Sequence, residues 1–224
     1  MIVAAGESRR MQGMGDKVLL SLLGKPLLLY SLELFSRLAA VEQIVLVINP
    51  RLRPQIEQLL HSHGYRDICL VSGGASRQES VYRGLLACRG RDLVAIHDAA
   101  RPCLREEDAL AVIAAARQQG AAILATPVTD TVKRVQAGRV IESPPREQMW
   151  AAQTPQVFRW DWIAAAHRRA SQTGISATDD AELVALCGHP VDVVRGSARN
   201  IKVTTPDDLL LAELIMTRGD KPWQ

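Results

Sequence analysis

Five consecutive positions, Ile44-Val45-Leu46-Val47-Ile48, are all apolar. A run that does not alternate between faces describes a strand covered on both sides. A chain holding such a strand must supply one layer above it and another below. The flanking segments fit that need. Leu28, Tyr30, Leu32, Phe35 and Leu38 recur at roughly helical spacing before the run, and residues 53–63 read as an amphipathic helix closed by Gly64. Further strands read at 67–72, 92–96 and 121–126. A helix opens at Ser76, whose spacing to Glu79 is that of a capping box, and another runs over 105–119 to a stop at Gly120. This alternation predicts an α/β, Rossmann-like, mostly parallel twisted sheet with helices on both faces and right-handed crossovers. The 224 residues suit one domain, 1–224. Aromatics are only 4%, so its core must be built from Leu, Val, Ile and Ala.

In such sheets ligands bind beyond the carboxyl ends of the strands. Three loops that leave those ends carry distinctive residues. The first follows Val3: Ala4, Ala5 and Gly6 have no bulk, so a ligand can lie against their backbone amides, and Arg9, Arg10 and Lys17 add positive charge beside them. That combination points to a polyphosphate site. It is neither a P-loop, since G-x-x-x-x-G-K-[ST] is absent, nor a dinucleotide fingerprint, since Gly13-Met14-Gly15 lacks a third glycine. The strand before this loop reads as short, residues 1–3. The second loop, Gly73-Gly74, leads into Arg77 and Ser80 at a helix start, where a base or ribose can approach. The third, His97-Asp98-Ala99-Ala100-Arg101-Pro102, offers Asp98 to Mg²⁺ or to a ligand hydroxyl, or as a plain turn aspartate paired with Arg101. Near the C-terminus, Lys202 would face outward on a regular strand, but in a loop with Asn200 and Thr204 it can face the cleft.

From Pro127 the rhythm changes. Residues 128–146 read as an alternating hairpin around Gly138, too poor in apolar residues for a core of its own and suited to packing on its own domain or a second subunit. Residues 150–158 carry the chain back. Helices follow at 160–172 and from Thr178-Asp179-Asp180 to Leu186, then a strand at 191–194. A last helix has Thr205 as N-cap and Pro206 at its first position. The small net charge, +3 and interspersed with acids, argues against nucleic-acid binding. Cys69, Cys88, Cys103 and Cys187 are too scattered for zinc or a disulfide framework and fit a reducing cytoplasm. The N-terminus lacks a basic leader region, and Lys25-Pro26 breaks the apolar run from Val18, so neither a signal peptide nor a membrane span is expected. His61 and His63 read as solvated. Cys103 has no base partner other than His97, and no catalytic triad assembles.

Read together, these motifs resemble the 2-C-methyl-D-erythritol 4-phosphate cytidylyltransferase family. They comprise Ala4-Ala5-Gly6 with Arg10 and Lys17, Gly73-Gly74 with Arg77 and Ser80, 97–102, and 127–134. Thr154-Pro155-Gln156-x-Phe158, Thr178-Asp179-Asp180-Ala181 and Asn200-Ile201-Lys202-Val203-Thr204 complete the set, which covers nearly the whole chain in the family's order. The resemblance implies CMP transfer from CTP to 2-C-methyl-D-erythritol 4-phosphate, a step of the non-mevalonate isoprenoid route. It also implies Mg²⁺, a glycosyltransferase-A-like fold, and a cytoplasmic homodimer with crossed β-arms. Under it, Arg10, Lys17 and Lys202 are catalytic. Ala4, Ala5, Gly6, Gly74, Arg77, Ser80 and Ala99 contact the nucleotide. Asp98, Arg101, Thr131 and Thr178 serve the polyol phosphate, and the arm carries Arg146 and Thr154 towards the partner's acceptor site. Asp98 is also the candidate Mg²⁺ ligand, unless the CTP phosphates hold the metal. The family usually has glycine where Ser8 stands, and Lys17 here lies between Asp16 and Val18. Two other readings share the motifs: a ribitol 5-phosphate cytidylyltransferase and a non-catalytic nucleotide-binding module. Retention of Arg10, Lys17 and Lys202 argues against the second.

Overall fold

The run at 44–48 is a strand buried at every position, and the sheet is built outward from it. A computed structural model describes residues 1–6 and 16–219. In chain order the elements are β1 (Ile2–Ala4), a 3₁₀ turn (Lys17–Leu19), β2 (Ser21–Leu22), β3 (Lys25–Pro26), α1 (Leu27–Arg37), β4 (Ile44–Ile48), α2 (Arg53–Ser62), β5 (Ile68–Ser72), α3 (Arg77–Ala87), β6 (Leu93–Asp98) and α4 (Glu106–Gln119). There follow β7 (Ala121–Pro127), β8 (Arg134–Gln136), β9 (Arg139–Glu142), β10 (Trp150–Arg159), α5 (Trp160–Thr173), α6 (Asp180–Leu186), β11 (Asp192–Arg195) and α7 (Pro206–Arg218).

The main sheet has seven strands in the order β11-β7-β10-β6-β1-β4-β5. All pairs are parallel except those of β10, which runs antiparallel to both β6 and β7. Alternation sorts the layers. Ile44, Leu46 and Ile48 of β4 face a cluster with Leu28, Leu32 and Phe35 of α1, Ile56 of α2 and Val112 of α4. Val45 and Val47 face Val81 and Leu85 of α3, Ile163 of α5 and Val184 of α6. Helices therefore cover both faces, as expected. Pro26 stands at the N-cap of α1 and offers no side-chain bond there. The loss, about 1 kcal/mol, is small beside the roughly 1.5–3 kcal/mol that each buried Leu or Phe of that helix contributes.

β1 is short, as expected, and lies inside the sheet: it pairs with β4 on one side and β6 on the other, with Val3 opposite both Val47 and Asp98. Before α1 the chain forms a small hairpin, with Leu23 and Gly24 at φ of 51° and 80°, the left-handed pair that a two-residue hairpin loop requires. One expectation needs correction: 150–158 is not a connector but most of β10, inside the sheet. Pro155 and the polar Gln153, Thr154 and Gln156 obscure it as a strand, because proline cannot donate to a ladder. A register shift between Ala152 and Gln156 accommodates that stretch.

The chain runs outward through β1, β4 and β5, then crosses back to lay β6 on the other side of β1. Reversal of strand order at β1/β6 opens a crevice at their carboxyl ends. Gly73 closes one wall of it. Its N–H donates to Ile48 O at 2.8 Å, and a methyl group there would overlap Ala5 Cβ and crowd Ser80 Oγ. Gly73→Ala is therefore expected to lower unfolding free energy by about 1–3 kcal/mol in a denaturant titration, the usual cost of overpacking; an unchanged midpoint would show that this wall yields freely.

Candidate active site

Asp98 is the last residue of β6, beside the switch point. One of its oxygens lies 2.5 Å from Lys202 Nζ and the other 3.4 Å from Arg77 Nε. The side chain is 10% exposed, so close cations must replace the hydration it has lost. Burial alone would raise its pKa; Lys202 and Arg77 outweigh burial and hold the carboxyl well below the usual range. The Asp98 N–H donates to Thr154 Oγ1 at 3.0 Å.

Arg77 opens α3, and the turn before it is braced from within. Ser76 accepts from Glu79 N–H at 3.0 Å, while the Glu79 carboxylate accepts from Ala75 N–H at 2.8 Å, one residue outside a standard capping box. Ser80 is buried; it accepts from Gly74 N–H at 3.0 Å and donates to Ser76 O at 2.8 Å. Its hydroxyl thus shapes the Gly73-Gly74 wall. Across that wall, Ala4 ends β1 opposite Ile48, Gly6 has open space where a Cβ would stand, and the buried Ala99 donates its N–H to Val3 O at 3.0 Å. Ala4, Ala5, Gly74, Ser80 and Ala99 are gathered at this end of the sheet.

Lys202 is not on a strand. Its loop is tied down on both sides: Val203 N–H donates to Ala100 O at 2.8 Å, and Arg101 Nη1 donates to Asn200 O at 2.6 Å. Asn200, fully buried, donates from Nδ2 to Thr154 O at 2.9 Å. These bonds turn Lys202 into the crevice. They also decide the alternatives for Asp98: its side chain pairs with Arg77 and Lys202, whereas the Arg101 side chain spans the backbone of Asn200 and, at 3.5 Å, Ala152.

Lys17 opens the 3₁₀ turn, anchored by buried Val18. Arg10 falls outside the described residues. Thr131 is exposed at the base of the β8–β9 hairpin, and Arg146, also exposed, donates to Thr129 O at 3.1 Å. Thr178 donates both its N–H and its hydroxyl to Glu182 at the start of α6. Thr154, expected to reach a partner, is instead buried inside its own sheet against Asp98 and His97, because it belongs to β10 rather than to the hairpin. Gln156 and Asn200 turn out to be braces behind the site. Asp180 enters the sequence reading only as part of the Thr178-Asp179-Asp180-Ala181 motif, and His167 not at all; the signal for His167 is a polar residue on the Ile163/Ala166/Ala170 face of an amphipathic helix.

For a divalent metal the fit is poor. Both Asp98 oxygens are directed at cations, and among the described residues no group of three His, Cys, Asp or Glu side chains stands where it could hold one. A cavity of about 870 Å³ lies at the opposite end of the sheet, lined by Met1, Phe35, Glu42, Arg91, Gly120 and Trp162. Its rim pairs with itself, Arg91 with Glu42 and Arg159 with Asp161, each at 2.9 Å. The candidate site is at the carboxyl end.

A switch point that joins small-residue loops to a carboxylate set between cations is the frame of an α/β nucleotidyltransferase. Comparison narrows the class. A family model for 2-C-methyl-D-erythritol 4-phosphate cytidylyltransferase matches residues 1–218. The enzymes of that name from Bacillus pumilus and Bacillus velezensis are 42% and 44% identical over 218 residues, covering 96% of this chain and 95% and 94% of theirs. The crystal structure of 4-diphosphocytidyl-2C-methyl-D-erythritol synthase from Anaerococcus prevotii superposes with a TM-score of 0.86 at 32% identity, covering 97% of this chain and 96% of that one. The chain belongs to the 2-C-methyl-D-erythritol 4-phosphate cytidylyltransferase family.

The site also sets a pH dependence. His97 is fully buried against Phe35 and Thr154, and burial pushes its pKa from 6.5 down to about 3. Between those values the unfolded chain binds the extra proton, so stability falls as pH drops through the window, by up to about 1.4 kcal/mol per pH unit from this group. His97→Gln is expected to flatten the decline of unfolding free energy between about pH 6 and pH 4; an unaltered slope would mean that His97 is not the group responsible.

Proposed function

We propose that this chain transfers CMP from CTP to 2-C-methyl-D-erythritol 4-phosphate and releases pyrophosphate. The observation that carries the assignment is the Lys202–Asp98–Arg77 cluster beside the small-residue loops, in a chain of this family. An acceptor phosphate oxygen attacks the α-phosphorus of CTP. The new O–P bond forms as the bond to the β-phosphate bridging oxygen breaks, and pyrophosphate leaves in line. Both reactants are anions, and charge gathers on the equatorial oxygens of the transition state. Fixed cations stabilise that charge more than they stabilise the ground state. Arg10 and Lys17 act on the triphosphate and Lys202 on the attacking phosphate. Ala4, Ala5, Gly6, Gly74, Arg77, Ser80 and Ala99 form the nucleotide pocket, with Ser80 acting through the loop it shapes. Asp98 orients acceptor hydroxyls, with Arg101 and Thr154 behind it and Thr178 at the rim. The nucleophile is already ionised, so no general base is needed, in keeping with a His97 that stays uncharged at neutral pH. Mg²⁺ would be carried by nucleotide oxygens rather than by a protein cage.

The β8–β9 hairpin supports a dimer. Val135, Val140 and Ile141 are about half exposed on it, at 55%, 60% and 46%, and a lone two-stranded ribbon is marginal without a partner surface. In this reading 128–146 is an exchanged arm that brings Arg146 and Thr131 to the second subunit's acceptor site. The chain acts as one domain in the cytoplasm; among the described residues no helix is long and apolar enough to cross a membrane.

Pyrophosphate release from CTP is expected with 2-C-methyl-D-erythritol 4-phosphate and not with ribitol 5-phosphate; the reverse would reassign the acceptor. Lys202→Ala and Lys17→Ala are each expected to cut kcat by about a hundredfold, roughly 3 kcal/mol, with a much smaller effect on CTP binding; kcat within a few-fold of wild type would remove them from the machinery. Mixing Arg146→Ala with Lys17→Ala protein is expected to restore activity through heterodimers, since one mixed site would have both residues intact. No recovery would argue against a shared site.

A further inference from the structure

The guanidinium that faces Asp98 has a second carboxylate behind it. Asp180, the first residue of α6, places Oδ2 2.8 Å from Arg77 Nη2, and its side chain is 1% exposed. Its other oxygen lies 3.0 Å from Nε2 of His167 on α5, itself buried completely. A carboxylate only accepts, so the imidazole donates through Nε2; Nδ1 is buried with no partner. Tyr82 of α3 lies parallel to the imidazole, ring centroids 6.2 Å apart. Gln156 of β10 pins the start of α6 from below, donating to Asp179 Oδ2 at 2.8 Å and accepting from Ala181 N–H at 3.2 Å. Asp180 is therefore anchored independently of Arg77. An unbroken row runs His167, Asp180, Arg77, Asp98, Lys202.

Packing does not require this pair. Ile163, Ala166, Ala170, Leu183 and Val184 already fill the layer, and a buried acid and imidazole are costly there. Their consequence is felt at Arg77, a long side chain whose rotamers would otherwise be free. Hydrogen-bonded at Nε to Asp98 and drawn at Nη2 into an ion pair with Asp180 that lacks hydrogen-bond alignment, the guanidinium is held between two carboxylates before a ligand arrives, which reduces the ordering cost of binding. We propose that His167 and Asp180 are positioning residues that fix Arg77 against Asp98, so that the nucleotide meets a pre-set cation. This rests on Arg77 being a nucleotide contact.

The test is a double-mutant cycle read by calorimetric titration of CTP. His167→Leu and Asp180→Asn are each expected to weaken CTP binding about tenfold, while His167→Gln, whose amide can still donate to Asp180, stays within about threefold. In an Arg77→Ala background the same changes are expected to alter affinity by less than about twofold, because they act through Arg77. The proposal is overturned if His167→Leu and Asp180→Asn bind CTP as the wild type does, or if their effect persists undiminished without Arg77. Should His167→Leu not fold, Asp180→Asn with its own Arg77→Ala double variant completes the cycle. If the wild type binds no CTP, the nucleotide role of Arg77 fails, and crystal structures of Asp180→Asn and His167→Gln decide the brace. Arg77 leaving Asp98 in the first but not the second supports it, and Arg77 unmoved in the first overturns it.

Discussion

Asp98 ends β6 with a tenth of its side chain exposed, and water cannot reach it well enough to hold its charge. The carboxylate stays ionised because Lys202 and Arg77 stand against it. These cations come from segments far apart in the chain, one at the start of α3 and the other just before α7. A single unfavourable burial therefore pulls together the two ends of the fold at the crevice between β1 and β6. Removing one cation would leave a buried charge partly uncompensated, which costs more than the pair contributes when complete. Charge compensation and ligand recognition use the same atoms here, so the geometry of the site is as firm as the fold itself.

The second constraint is β10. An antiparallel strand with Gln153, Thr154 and Gln156 turned inward brings polar atoms into a sheet otherwise packed with Leu, Val, Ile and Ala. Buried polar groups must find partners. Gln153 donates to Ser197 O, Gln156 donates to Asp179 Oδ2, and Thr154 accepts from the Asp98 N–H. These bonds end on the loop at Ser197, on the start of α6 and on the last residue of β6. The strand works as a rack behind the site, and its polar residues set where the flanking loops lie.

Much of this was legible in the sequence. The unalternating run at 44–48, the glycines at helix ends and the capping residues located the parallel half of the sheet, because those signals act within a few positions of one another. The loops at Ala4, Gly74 and Asp98 were found by chemistry joined to the rule that sites gather at carboxyl strand ends. What escaped depends on distant partners. β10 is stabilised by side-chain bonds to 179–181, 197 and 200, which no local pattern reveals. Lys202 reads as outward on a regular strand and as cleft-facing in a loop, and the bonds at Asn200 and Val203 are what make the segment a loop. His167 and Asp180 make sense only when α5, α6 and α3 are seen to meet.

The position of β10 also has a consequence for biosynthesis. The ribosome makes β6 and β7 first, yet the strand that joins them is spelled by residues 150–159. Until that segment emerges, β6 and β7 each offer an unpaired edge, and β7 has no neighbour, since β11 comes later still. Vectorial folding can complete only the β6-β1-β4-β5 half. The rest must wait for a long-range insertion, the slowest and most aggregation-exposed kind of closure. Lys202 follows Asp98 by a long stretch of chain, so the nascent protein carries the acid of its site well before it carries the lysine that neutralises it.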